Sequence, residues 1–200
     1  MDADDLPALL ESALTCFLER GLHAASTDYI ATAAKISHGR LYRLVANKDA
    51  LIEQVYVQAL AQLQAPLLSP AGAPKNYERL QSLLARWWQL AASAAQTHPQ
   101  AFAFWRLYRT SRTAFGVGEP LLGPFTQLPE VMAPILAYRT LRELPNASTS
   151  PTLLVTLLTA QWTAVVEVVL TNPDCRANEA LRTKLLAQSF EGWWRGLSWW

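Results

Sequence analysis

Residues 24–51 read AASTDYIATAAKISHGRLYRLVANKDAL, and their order decides the fold. Ser26 can cap a helix with its hydroxyl, which leaves Ile30, Ala31 and Ala34 on one buried stripe. The small side chains on that stripe let a second helix cross closely. Lys35-Ile36-Ser37 follows, where Ile36 can plug the core beneath a turn and Ser37 is a second N-cap. The helix that Ser37 opens, about His38 to Val45, is too short to be stable alone and must be held by its neighbours. Leu41, Leu44 and Val45 turn inward, leaving His38, Gly39, Arg40, Tyr42 and Arg43 nearer the outside. Asn47 is a third cap, opening a long helix through Leu51, Val55 and Leu60. Two short helices, a tight turn and the start of a third form the layout of a helix-turn-helix, and DNA is the first partner to consider.

A recognition helix presents its first turn to base edges, while cationic side chains and helix N-termini hold phosphates. Ser37, His38 and Gly39 occupy that first turn, with Thr27 near it at the start of the preceding helix. Arg40 is the candidate for a base contact, because a guanidinium can pair bidentately with guanine. Tyr42, Arg43 and Lys48 suit phosphates, helped by the amides at the start of the helix after Asn47. Short capped helices also occur in ordinary bundles, so spacing alone leaves a purely structural reading open.

The order of residue types goes further. Phe17 to Gly21, Ile30-Ala31, Ile36-Ser37, Gly39-Arg40-Leu41-Tyr42 and Lys48-Asp49-Ala50-Leu51 resemble the N-terminal pattern of the TetR family of transcriptional regulators. The likeness covers about the first quarter of the chain. It implies a homodimer whose two recognition helices enter successive major grooves of a near-palindromic double-stranded DNA operator, while a C-terminal helical domain senses a small molecule. Three positions depart from the family pattern. Lys35 stands in the turn where the family usually has Gly, and a side chain at positive φ is strained there. Val45 replaces an aromatic residue, and the chain opens MDADDLP instead of with a basic arm. Asp2, Asp4 and Asp5 near DNA would repel phosphate.

The whole chain carries a net charge of +1, which predicts no general affinity for nucleic acid. Between residues 20 and 49, however, Arg20, Lys35, Arg40, Arg43 and Lys48 stand against Asp28 and Asp49, so basic charge gathers where the motif needs it. The expectation is specific, salt-dependent binding with few phosphate contacts beyond the motif. No basic run leads into an apolar segment with a small-residue cleavage site, so no secretory leader is expected. Cys16 and Cys175 are too few and too far apart for a metal cluster or disulfide framework, and cytoplasmic residence with free thiols is the simple reading. His23, His38 and His98 have no Cys or carboxylate partner at motif spacing, and no phosphate-binding glycine loop appears. No catalytic residues, metal or cofactor are expected, and the chain is not read as an enzyme.

Beyond residue 51 the chain reads as helix punctuated by proline, which makes the fold all-α. The expected architecture is a three-helix DNA-binding domain over 1–48, followed by a helical ligand-binding and dimerisation bundle over 49–200. The helix from Asn47 is expected to end near Gln64, ahead of Pro66 and the linker Ser69–Pro74. Asn76 can cap a helix burying Tyr77, Leu80, Leu84, Trp87, Ala91 and Ala94, stopping by His98-Pro99. A further helix spans Pro99 to Ala114, and Phe125 to Leu144 reads as a helix interrupted by Pro129 and Pro134. Pro151 to Leu170 is long enough to span a bilayer. Gln161, Glu167 and a threonine stripe argue against a membrane and for a helix buried on both sides. With the helix from Asn178 it makes a candidate dimer seam, carried by Thr156, Ala160, Thr163, Ala164, Leu181 and Leu185. The Trp-rich end, Trp193-Trp194 and Trp199-Trp200, either covers the seam or frays.

For the effector, the resemblance points to the middle helices, where Trp87, Trp88, Phe102, Phe104, Trp105, Tyr108, Met132 and Trp162 stand. A flat aromatic or bulky apolar ligand would suit them, although most serve equally well as plain core. The candidate ligand set is Trp87, Phe102, Trp105, Arg106, Tyr108, Arg109, Trp162 and Glu167. Arg106 and Arg109 either anchor an acidic ligand or are solvated, as Arg112 is. Glu167, an acid in an apolar helix, calls for an arginine or a cationic ligand. The alternative function is a helical interaction protein of the same fold that has lost operator binding.

Overall fold

A computed structural model of the chain describes residues 5–69, 80–114, 123–128, 130 and 151–197. Among the described residues all regular structure is helical: α1 (Asp5–Ala24), α2 (Thr27–Ala33), α3 (His38–Leu44), α4 (Lys48–Leu68), α5 (Leu80–Thr97), α6 (Pro99–Ala114), a short 3-10 turn (Gly123–Phe125), α7 (Pro151–Thr171), α8 (Pro173–Ala177) and α9 (Glu179–Leu197). They fall into two compact units, residues 1–63 with 98–119, and residues 64–97 with 120–200. The division is expected at 48/49, whereas compactness groups α4 as far as Leu63, and α6, with the helix-turn-helix.

In the first unit α1 packs on α2 and α6. Leu9, Ala13 and Phe17 repeat at helical spacing and are fully buried, and the Phe17 and Phe104 rings meet at 6.0 Å. The helix breaks at Gly21, whose φ of 81° and ψ of 163° are open to glycine at little cost. Asn47 Oδ1 accepts from the Ala50 amide at 2.8 Å and so starts α4. Contrary to the expected end near Gln64, α4 runs through Pro66 to Leu68. Proline there removes one hydrogen bond near the helix end, where little is lost. Burial of Leu63 and Leu67 and a 2.6 Å bond from Ser69 Oγ to the Pro66 carbonyl hold the last turn.

In the second unit α7 packs on α5, α8, α9 and the 3-10 turn. Trp88 meets Phe190 edge-on at 5.8 Å and Phe125 meets Trp162 at 5.4 Å. Thr159 and Thr163 are buried, and their hydroxyls donate to the Val155 and Thr159 carbonyls at 2.8 and 2.7 Å, which lets polar side chains sit in an apolar layer. Residues 152–171 are long and apolar enough to cross a membrane, yet half of that window is already buried, as in a core helix. The other face of α7 exposes Leu153, Leu157 and Val168 at 52, 46 and 44 %. Asn178 caps α9 through a 3.0 Å bond from the Leu181 amide. The short α8, not foreseen from the sequence, is announced by Asn172-Pro173, a capping side chain followed by proline at the first helical position.

Candidate nucleic-acid interface

The site grows from two caps and a turn. Ser26 Oγ accepts the Tyr29 amide and Ser37 Oγ accepts the Arg40 amide, both at 3.2 Å, so each short helix starts where its serine stands. Between them the Ile36 amide donates to the Ala31 carbonyl at 3.0 Å and the Lys35 amide to that of Thr32 at 3.1 Å. This is a Schellman motif, with Lys35 in the left-handed position at φ 56°. The expected strain is therefore present: the turn keeps its geometry without glycine. Ile30, Ala31, Leu41 and Val45 are buried, and Leu44 and Ile36 are half-buried against them. Val45 thus fills its end of α3 without an aromatic ring.

That packing brings three predicted site residues together on the outer side. Thr27 Oγ1 lies 3.3 Å from His38 Nε2 and 3.2 Å from Tyr42 Oη. The His38 and Tyr42 rings meet edge-on at 4.7 Å, and Tyr42 stays exposed. Ser37 spends its hydroxyl on capping. Gly39 is exposed, and apart from its chain neighbours and its own helix backbone no atom lies within 4 Å of where a Cβ would stand, so the backbone at the start of α3 is open to approach by a ligand. Arg43 is exposed. Lys48 Nζ donates to the His23 carbonyl at 2.8 Å, tying the start of α4 to the end of α1.

Two acids reach into this cluster. Asp28 Oδ1 lies 3.1 Å from His38 Nε2. Asp5 Oδ2 accepts from Arg40 Nε at 2.6 Å and also meets Nη2 of the same guanidinium. The acidic opening of the sequence thus acts on a particular cation as well as on the general charge balance. The pairing was not foreseen, because nothing local links positions 35 residues apart.

The candidate effector residues are divided between the units. Phe102, Trp105, Arg106, Tyr108 and Arg109 belong to the first, and Trp87, Trp162 and Glu167 to the second. All five aromatic rings are buried. Tyr108 Oη bonds both Glu53 carboxylate oxygens at 2.8 Å, and its ring stacks on Tyr56 at 4.0 Å. Burial, with Tyr56 adding to it, pushes the Tyr108 phenol above its ordinary range. Arg109 lies over the Trp105 ring at 5.0 Å. Burial, helped by Arg106, lowers its guanidinium from the usual value. Within the first unit an open apolar groove of about 520 Å³ runs along Leu6, Leu10, Gln54 and Val57, and none of the candidate effector residues lines it. Met132, Trp199 and Trp200 lie outside the described residues, and no metal-binding group of three or more ligands occurs among those described.

Residues 9–55 match the model of bacterial regulatory proteins of the tetR family. This N-terminal domain belongs to the TetR family. Beyond it, the chain takes the fold of TetR regulators. A TetR-family regulator from Shewanella sp. PV-4 superposes with a TM-score of 0.71 at 21% identity, covering 94% of this chain and 97% of its own. A TetR-like regulator from Rhodococcus sp. RHA1 gives 0.65 at 24% identity, over 97% and 96%. A TetR variant from Acinetobacter baumannii AYE, in complex with minocycline, gives 0.55 at 15% identity, over 95% and 96%. No curated protein matches the chain.

Proposed function

We propose that this protein is a ligand-responsive transcriptional repressor that binds a near-palindromic operator as a homodimer in the cytoplasm. The observation that carries the reading is the TetR-type helix-turn-helix with Thr27, His38 and Tyr42 gathered on its outer side. In this reading Ser37, His38, Gly39 and Arg40 face base edges, while Thr27, Tyr42, Arg43 and Lys48 hold backbone phosphates.

The remaining parts of the proposal rest on the second unit and on α4. The exposed stripe Leu153, Leu157, Ala160, Ala164 and Val168 of α7, with Leu181 and Leu185 of α9, forms the seam between protomers. Thr156 borders it, and Thr163, buried within its own unit, supports it from behind. The effector is a small molecule with an aromatic or bulky apolar body, and Trp87, Trp162 and Glu167 are its candidate contacts within the second unit. The minocycline complex of the Acinetobacter protein supports a small-molecule effector. Helix α4 contributes residues to both units and is the natural lever. Effector binding favours an arrangement in which the two recognition helices no longer match adjacent grooves, and affinity falls by the effector's differential preference.

A gel shift with the DNA flanking its own gene tests the reading. Arg40→Ala is expected to weaken the complex by roughly 5- to 100-fold, the range of one bidentate arginine–guanine contact. An effector that binds tightly and leaves operator affinity unchanged overturns the coupling. Failure to bind any DNA fragment favours a second reading, an interaction protein of the same fold, which the Asp5–Arg40 pair independently supports.

A further inference from the structure

The edge of Arg40 that Asp5 occupies is one that DNA would use. A guanidinium pairs bidentately with guanine or phosphate through two neighbouring N–H groups, and Asp5 Oδ2 meets both Nε and Nη2. The two side chains are only 28% and 33% exposed, so water screens their attraction less than it would a pair in open solvent. Each is anchored on a different helix, Asp5 in the first turn of α1 and Arg40 in α3, where Arg40 also gives its amide to the Ser37 cap. The first turn of a helix is where a carboxylate is favourably held. Asp28 stands in the same relation to His38 at 3.1 Å. Two side chains of the reading helix are thus met by acids of their own chain.

We infer that Asp5 is an intramolecular competitor for DNA at Arg40, a carboxylate standing where a phosphate or guanine edge would stand and lowering affinity until the DNA contact displaces it. The inference rests on the DNA-reading function proposed above. It differs from simple repulsion of phosphate by a nearby acid, because its effect passes through one guanidinium.

The test is a double-mutant cycle on the full chain, Asp5→Asn and Arg40→Ala singly and together. Fluorescence anisotropy is measured with a labelled duplex from the region flanking its own gene and with a random-sequence duplex, at low salt so that weak complexes register. Asp5→Asn is expected to tighten binding by up to about fivefold per protomer, and the gain should vanish in the Arg40→Ala background. Binding by Asp5→Asn where the wild type shows none supports the competitor in its strongest form. A gain that persists without Arg40 overturns it in favour of plain repulsion. Unchanged or weaker binding by Asp5→Asn overturns it too, the weaker case making Asp5 a positioning residue. If neither the wild type nor any variant binds either duplex, the DNA-reading function falls and the competitor with it, an outcome distinct from a wild type that binds and gains nothing. Asp5→Ser, checked with Asp5→Asn for unchanged helix content, guards against an effect on α1 itself.

Discussion

Lys35 and Tyr108 show how single residues carry opposite kinds of cost. At φ 56° Lys35 holds a conformation that glycine adopts freely, and the left-handed region costs other residues about 1–2 kcal/mol. Lys35→Gly gives back part of that gain through a more flexible unfolded chain. The expected net effect is stabilisation by about 0.5–1 kcal/mol, read as a rise of about 2 °C in the thermal midpoint; a fall would mean that the lysine side chain makes a compensating contact. Tyr108 is a satisfied group whose phenol donates to Glu53, and the fold prefers its protonated form because burial, with Tyr56 adding to it, raises its folded pKa above 10.0. Its contribution is fully present below 10.0, the ordinary value, and is lost as pH rises through the folded value. Tyr108→Phe should cost about 1.5 kcal/mol at neutral pH, the worth of a hydrogen bond to a charged group. Above pH 10, stability should fall less steeply in the variant than in the wild type, in chemical denaturation run at several alkaline pH values.

At the scale of the element, caps decide where helices begin. Ser37 starts a helix of seven residues that cannot stand alone. Ser37→Ala should cost about 1 kcal/mol and speed hydrogen exchange of the α3 amides about fivefold; unchanged exchange would show that packing of Leu41 alone holds the helix. Such caps are what the sequence makes legible. Ser26, Ser37, Asn47 and Asn178 each act within three residues, and the stripe Ile30, Ala31, Leu41 and Val45 follows from helical period. What escaped is non-local or a balance of terms. Pro66 reads as a stop, yet burial of Leu63 and Leu67 outweighs one missing hydrogen bond. The Asp5–Arg40 pair joins α1 to α3, and no spacing rule reaches so far. Of the candidate DNA set, Thr27, His38 and Tyr42 are legible as neighbours because they sit at fixed offsets around the turn, whereas the candidate effector residues follow only from resemblance and composition and fall in two units.

For the whole molecule, the decisive surface is the second face of α7. Ala160 and Ala164 are exposed in the protomer, so Ala164→Arg should leave each chain folded. It would place an unpaired charge in the proposed seam, a penalty of several kcal/mol that is enough to dissociate a moderate dimer. Sedimentation should then give a monomer at concentrations where the wild type is a dimer; a dimer that persists puts the seam elsewhere. The two-unit organisation also has a spectroscopic consequence. Among the described tryptophans, Trp105 alone falls within the first unit, where it is fully buried beneath the Arg109 guanidinium. The difference in indole emission between the wild type and Trp105→Phe therefore isolates the light of the helix-turn-helix unit, a built-in optical probe needing no attached dye.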